Sequence, residues 1–171
     1  MESWGADRYG SPCRECGFDW LLTPEDAIMW ISRLSSLLDA AALPPDGLKR
    51  RGSGGWSVVE YVGHIGDNLR QWAERVQAVR LTGQPHVGGY DPDALAVARG
   101  YSALPLAAVV WSTSQAVGEW ISVLRPALHE AIELDHAGRG RQRAEDVARN
   151  NCHDAFHHLW DIQQILQGDR P

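Results

Sequence analysis

The chain has 171 residues, a formal net charge of -6 and a mean hydropathy of -0.32. That length suits one compact domain with its own core, and the acidic balance argues against phosphate-backbone binding, which needs clustered basic residues. The best apolar run, residues 106–111, is far shorter than the ~20 residues that cross a bilayer.

The opening Met1-Glu2-Ser3-Trp4-Gly5 has no basic region followed by an apolar core. The expectation is a cytoplasmic protein with neither a membrane nor a nucleic-acid partner. Residues 1–22 read as an irregular segment, broken by Gly5, Gly10, Pro12 and Gly17 and carrying the pair Cys13 and Cys16. Three cysteines in all do not make a disulfide framework. Fifteen arginines beside the single Lys49 suggest a GC-rich, actinomycete-like bacterial coding sequence.

Thr23-Pro24-Glu25-Asp26 starts a helix: an N-cap threonine, proline at the first helical position and acids in the first turn. Ile28, Ile31, Leu34, Leu38 and Ala41 then recur at helical spacing, until Pro44-Pro45-Asp46-Gly47 stops the helix and the Gly52 to Gly55 stretch forms a loop. Ser57-Val58-Val59-Glu60 is a capping box. It opens a second helix with Val58, Val62, Ile65, Leu69, Trp72, Val76 and Val79 inward, closed by Gly83-Gln84-Pro85. Asp91-Pro92 begins a short helix. A third long helix runs from about residue 105 to 124, with Val109, Ala116, Trp120, Val123 and Leu124 inward and Pro126 breaking or kinking it. After an exposed loop at residues 138–140, a fourth long helix covers about residues 144–167. No stretch alternates with period two for long enough to make a strand. The fold class expected is all-α, a four-helix bundle over residues 23–168. Eight tryptophans are many for this length; most suit the core, with one or two lining a pocket.

The fourth helix carries Cys152-His153-Asp154-Ala155-Phe156-His157-His158-Leu159-Trp160-Asp161. Residues four apart share a helical face, so His153 with His157, or Asp154 with His158, could each grip one metal ion. On the helical wheel His158 falls inside the broad apolar arc set by Val147, Ala148, Ala155, Phe156, Leu159, Ile162, Ile165 and Leu166. Asp154 lies at its edge, His157 in the middle of the opposite polar gap, and His153 at the gap's other edge. A buried ion therefore favours Asp154 with His158, with His153 and His157 as the alternative register. His64, on the second helix and flanked by Gly63 and Gly66, is the best third ligand; the glycines leave room for a ligand or a backbone. The competing readings are a hydrogen-bonded, half-buried His64 and a solvated polar face. His86, His129 and His136 are weaker candidates. Asp67, Asn68, Arg70 and Asp161 lie near the proposed ligands and could support them or meet a substrate; for each the competing reading is a surface residue. Cys13 and Cys16 have the spacing of two zinc ligands, but a structural site needs four. A secondary metal, redox chemistry, a zinc shared with another chain and plain loop packing all stay open for that pair.

The pattern resembles the DinB-like superfamily of metal-binding four-helix bundles over about residues 24–167. Trp56-Ser57-Val58-Val59-Glu60-Tyr61-Val62-Gly63-His64-Ile65 is similar to the start of the family's second helix, and His157-His158-Leu159-Trp160-Asp161 to its C-terminal signature. Cys13-Arg14-Glu15-Cys16-Gly17-Phe18-Asp19 is similar to the leader of one actinobacterial branch. The resemblance implies a histidine on the second helix, a pair four apart on the last, and a glutamine or aspartate three residues after the second of that pair, the place of Asp161. A carboxylate in first place resembles the mycothiol-dependent maleylpyruvate isomerase branch, where glutamate is usual and this chain has Asp154. Characterised relatives imply transfer or isomerisation chemistry with a low-molecular-weight thiol, mycothiol or bacillithiol.

Three protein ligands plus open positions is the layout of a catalytic zinc site, with nickel or iron as other divalent occupants. The expected activity is metal-assisted activation of a thiol against a small electrophilic substrate, by a monomer or homodimer. Two alternatives stay open: Fe(II)-dependent oxygen chemistry at a two-histidine, one-carboxylate set, and a stress-linked protein that binds metal without turnover.

Overall fold

The computed structural model of the chain describes residues 5–45, 47–52 and 55–168. Residues 1–4 of the N-terminal segment, Asp46 of the proline-rich stop and residues 53–54 of the glycine loop lie outside the described residues. Seven helices appear among those described: α1 (Ala6–Tyr9), α2 (Pro24–Ser32), α3 (Leu34–Ala40), α4 (Val58–Thr82), α5 (Pro92–Arg99), α6 (Leu106–His129) and α7 (Ala144–Gln167). The bundle is formed by α2 with α3, α4, α6 and α7; α4 packs along α6, and α7 lies against α4 and α2.

Local signals place most of the boundaries. Thr23 Oγ1 accepts from the Asp26 amide at 3.1 Å, and the Ser57 amide and hydroxyl both donate to the Glu60 carboxylate, at 2.7 and 2.6 Å. Asp91 accepts from the amides of Asp93 and Ala94, and Gly83 ends α4 with a φ of +69°. All seven inward positions expected of the second helix are buried, from Val58 at 0% exposure to Val79 at 6%.

Four expectations need correction. The first long helix is two, divided at Arg33; the Ser32 hydroxyl donates to the Met29 carbonyl and competes for the backbone there. Pro126 stands inside α6 without ending it, because the fully buried Leu124 and Ala127 on either side hold the last turn to the core. The stretch around residues 138–140 is the turn of a hairpin. Its strands, β2 (Glu133–His136) and β3 (Gly140–Arg143), pair antiparallel with Glu133 opposite Arg143, while β1 (His86–Val87) adds parallel to β2. Strands this short alternate over too few residues to register as a period.

Lastly, residues 5–22 are not simply irregular. They hold the helical turn α1, and they dock on α7 through Cys13 and Phe18, which are 3% and 4% exposed. No helix among the described residues is long and apolar enough to cross a membrane.

Candidate metal centre

His64 sits two turns into α4, while Asp154 and His158 are one turn apart on α7, so the α4–α7 packing brings the three together. The Asp154 carboxylate lies between the two imidazoles. Its Oδ2 is 3.5 Å from His64 Nε2 and its Oδ1 is 3.7 Å from His158 Nε2. One candidate ligand atom from each residue lies within 4.8 Å of the others. Aspartate, though a methylene shorter than glutamate, reaches both histidines.

The surrounding groups fix these side chains. Asp161 Oδ2 is 2.9 Å from His158 Nδ1; with Nδ1–H donating to it, the ring is held with Nε2 turned toward Asp154. Asn68 Nδ2 donates to Asp154 Oδ2 at 2.8 Å, and the Tyr90 hydroxyl donates to Asn68 Oδ1 at 3.5 Å. Burial alone would raise the Asp154 pKa, but His64 and His158 outweigh it and hold the carboxyl far below its ordinary range. Burial would lower His158; the carboxylates of Asp154 and Asp161 override it and raise the ring above its usual value. This is a preformed anionic oxygen held by nitrogen donors, the electrostatic complement of a small cation.

Asp67 and Arg70 turn elsewhere. Asp67 pairs with Arg70 at 2.6 Å and Arg99 at 3.2 Å and accepts from the Tyr101 hydroxyl at 2.5 Å, and neither residue lines the cleft over His64. Gly63 and Gly66 make room for protein: a Cβ on Gly63 would lie 2.6 Å from the Tyr101 ring, and one on Gly66 2.7 Å from Thr113 Oγ1 of α6.

The three residues open on a cleft of about 1070 Å³. Trp56 and Tyr61 wall it beside the imidazoles, with the Trp56 ring 4.7 Å from His64 and the Tyr61 ring 5.2 Å from His158. Opposite, the Arg75 guanidinium lies over Trp72 and Tyr90 at 5.2 and 5.3 Å, and that of Arg139 over Trp72 at 5.7 Å. His136 stacks on Trp72 at 5.5 Å. Arg8 and Tyr9 complete the rim. Beyond the expectation of tryptophans at a pocket and of His136 as a weaker candidate ligand, none of these residues stands out in the sequence as part of a site. His136 and Arg139 arrive on the hairpin, and Arg8 and Tyr9 on the N-terminal segment, two elements with no periodic signal.

The sequence pattern of the DinB superfamily matches residues 28–162, which include all three candidate ligands. The chain belongs to the DinB superfamily. No curated protein matches its sequence. Among solved structures it is similar to YfiT from Bacillus subtilis, described as a probable metal-dependent hydrolase with an unusual four-helix bundle topology. The TM-score is 0.74 at 18% identity, over 85% of this chain and 86% of YfiT. At that identity the likeness speaks for the fold.

This DinB member has a second constellation on the next face of α7. His153 and His157, the alternative register, do not approach His64; they meet Cys13 and Cys16, again with candidate ligand atoms all within 4.8 Å. The N-terminal segment covers what the helical wheel assigned to a polar gap, so His153 is only 5% exposed. Its ring lies 4.5, 4.7 and 5.3 Å from those of Trp20, Tyr9 and Phe18. Burial, and next the neighbouring His157, lower its pKa to about 4 and keep it neutral. Burial raises the Cys16 thiol to about 11, opposite to the shift that makes a dithiol reactive. Cys152 is buried in the core, and burial takes its thiol to about 12; it is in neither set.

Proposed function

We propose that this protein is a metal-dependent enzyme that joins or rearranges a small anionic electrophile with the help of a low-molecular-weight thiol. The observation that carries the reading is the Asp154 carboxylate bracketed by His64 and His158 at the floor of an arginine- and aromatic-lined cleft. Two nitrogens and one carboxylate suit zinc, with nickel and iron next. The donors fit: all lie on rigid helices, two of the three are held by hydrogen-bonded partners, and one side of the set is open to the cleft.

A divalent cation held there would lower the pKa of a thiol in its open position, making thiolate abundant near neutrality. The residues of the chain do the rest. Asp161 holds His158 in the tautomer that presents Nε2, and Asn68 fixes Asp154. Arg75 and Arg139 offer a forked, delocalised positive charge to carboxylates, and Tyr90, Trp56 and Trp72 give flat surfaces for an unsaturated or ring-bearing substrate. The cleft volume exceeds the ~300–1000 Å³ common for single small ligands, which leaves space for a thiol cosubstrate, mycothiol in the branch that the sequence resembles. A cytoplasmic setting agrees with such a reductant.

The description of YfiT as a probable metal-dependent hydrolase supports a second reading, hydrolysis with water in place of the thiol. One assay separates the two. Zinc-loaded protein is given a small carboxylate-bearing electrophile with and without mycothiol, cysteine or glutathione. Thiol-dependent turnover, lost in His64→Ala, supports the proposal; equal turnover without thiol replaces it with the hydrolytic reading. Oxygen-dependent turnover with Fe(II) alone would instead favour the two-histidine, one-carboxylate iron chemistry. A stoichiometric metal with no turnover would leave a binding protein.

A further inference from the structure

We propose that Cys13, Cys16, His153 and His157 form a second, structural zinc site that fastens the N-terminal segment to α7 and so builds one wall of the cleft. The donor set is complete. Two cysteines separated by two residues and two histidines separated by three have the spacing of a four-ligand structural site, here contributed by segments far apart in the chain. One candidate ligand atom from each residue lies within 4.8 Å of the rest, and Cys13 Sγ is 4.0 Å from His157 Nδ1. Tetrahedral bonds of about 2.3 Å to sulfur and 2.0–2.1 Å to nitrogen put neighbouring donors roughly 3.3–3.8 Å apart, so an ion needs no two donors to close by more than about 1.5 Å.

Two independent observations point to a ligand at this cluster. His153 Nε2 is buried and has no hydrogen-bond partner, a costly state for an imidazole nitrogen in an aromatic shell. His157 faces the cysteine with Nδ1 while its Nε2 lies 3.3 Å from Glu15 Oε2, and a carboxylate on the far nitrogen is how a metal-bound histidine is oriented. The backbone supports the cysteines in the same sense. The Gly17 amide donates to the Cys13 carbonyl and the Cys13 amide to the Phe18 carbonyl, both at 2.9 Å. This turn needs Gly17 at a φ of +77° and gathers both sulfurs on one side. On binding, each thiol gives its proton to solvent. The two thiolates then balance the dication, and the neutral imidazoles leave the buried site without net charge.

His153 and His157 alternate with Asp154 and His158 along one helix, so the two sites stand side by side, with the His157 and His158 rings 5.7 Å apart. Arg8 and Tyr9, which line the cleft, lie on the segment that the second ion would pin. The second site stands independently of the reaction proposed above, because it holds a different ion on different residues.

The test uses full-length protein loaded with Co²⁺ or Zn²⁺. Wild type should hold two ions per chain, one for each cluster, and the cobalt form should show thiolate-to-cobalt charge-transfer absorption. Cys16→Ser should lose one ion and that absorption, while His64→Ala loses the other ion and keeps it. Tryptic cleavage after Arg8 and Arg14 should speed up at least tenfold in Cys16→Ser and in zinc-stripped wild type. A wild-type protein without sulfur charge transfer, or a Cys16→Ser variant that keeps both ions, overturns the site. Unchanged cleavage on zinc removal overturns the fastening role. Because Cys16 is only half-buried, its serine variant should fold, and the wild-type cobalt spectrum needs no variant.

Discussion

Asp161 stands to His158 as Glu15 stands to His157: a carboxylate on one ring nitrogen, which leaves the other for the neighbouring cluster. Partners of this kind tune affinity more than fold. Asp161→Ala should therefore weaken metal binding at the His64 cluster by about 10- to 100-fold, read by competition with a chromophoric chelator, with the circular dichroism unchanged. An unaltered affinity would mean that His158 is held by packing alone. At this scale the sequence was legible wherever a helical period applied. The apolar arc of α7 is what separated Asp154 and His158 from the pair one residue earlier. What the arc could not do is name the partner of the other pair. His153 and His157 looked solvent-facing because Cys13 and Phe18, which cover them, belong to a stretch whose docking has no period to read. Arg75 and Arg139 escaped for a related reason: an arginine on a helix flank and another in a turn are ordinary surface residues until the hairpin folds over Trp72.

Among the elements, α4 carries both the first candidate ligand and the most extensive helix contact. Its start depends on Glu60. Burial would raise that carboxyl, but the Ser57 hydroxyl and amide, with Arg50 beside them, lower it below its usual 4.5. A lowered folded-state pKa gives stability that is complete above the unfolded value and fades as pH falls through the folded one. Glu60→Gln should thus cost about 1 kcal/mol at pH 7, and the gap to wild type should close as the pH falls below the usual 4.5 and through the lowered folded value, measured by urea unfolding at each pH. A gap independent of pH would mean that the carboxylate charge contributes nothing to the cap. Farther along α4, Gly66 faces α6 so closely that an added methyl would meet Thr113 Oγ1 at 2.7 Å and its Cα at 3.2 Å. The Thr113 hydroxyl already donates to the Val62 carbonyl, so it cannot yield without losing that bond. Gly66→Ala gains up to about 1 kcal/mol of helix propensity but should lose more to overpacking, for a net cost of about 1–2 kcal/mol, seen as a lower urea midpoint. The glycines near His64 were conspicuous in the sequence; that they admit a neighbouring helix and a tyrosine ring in place of a ligand depends on packing that no single-helix pattern contains.

Taken whole, the molecule joins a bundle to a segment that lacks a core of its own. Residues 5–22 bury Phe18 at 4% exposure against Trp20 and Phe156, with ring centroids 5.2 and 5.6 Å away, and Trp30 lies 5.4 Å from the same Phe156. Such a seam makes segment and bundle one cooperative unit only if its burial outweighs the entropy of ordering the chain. The apolar contact is large enough that Phe18→Ala should cost about 3 kcal/mol or more. The same seam allows a sharper measurement. Tryptophan fluorescence senses Trp20 and Trp30 at the seam together with Trp72 and Trp120 in the bundle, whereas far-ultraviolet circular dichroism senses the bundle helices almost alone. In metal-replete protein the two should trace a single urea transition, as a two-state unit requires. After chelation the segment has only its aromatic contacts, and the fluorescence change should begin at lower urea than the helical loss. Coincident curves in both states would mean that the aromatic seam suffices by itself, and that the cleft wall carrying Arg8 and Tyr9 stays in place whether or not an ion is bound.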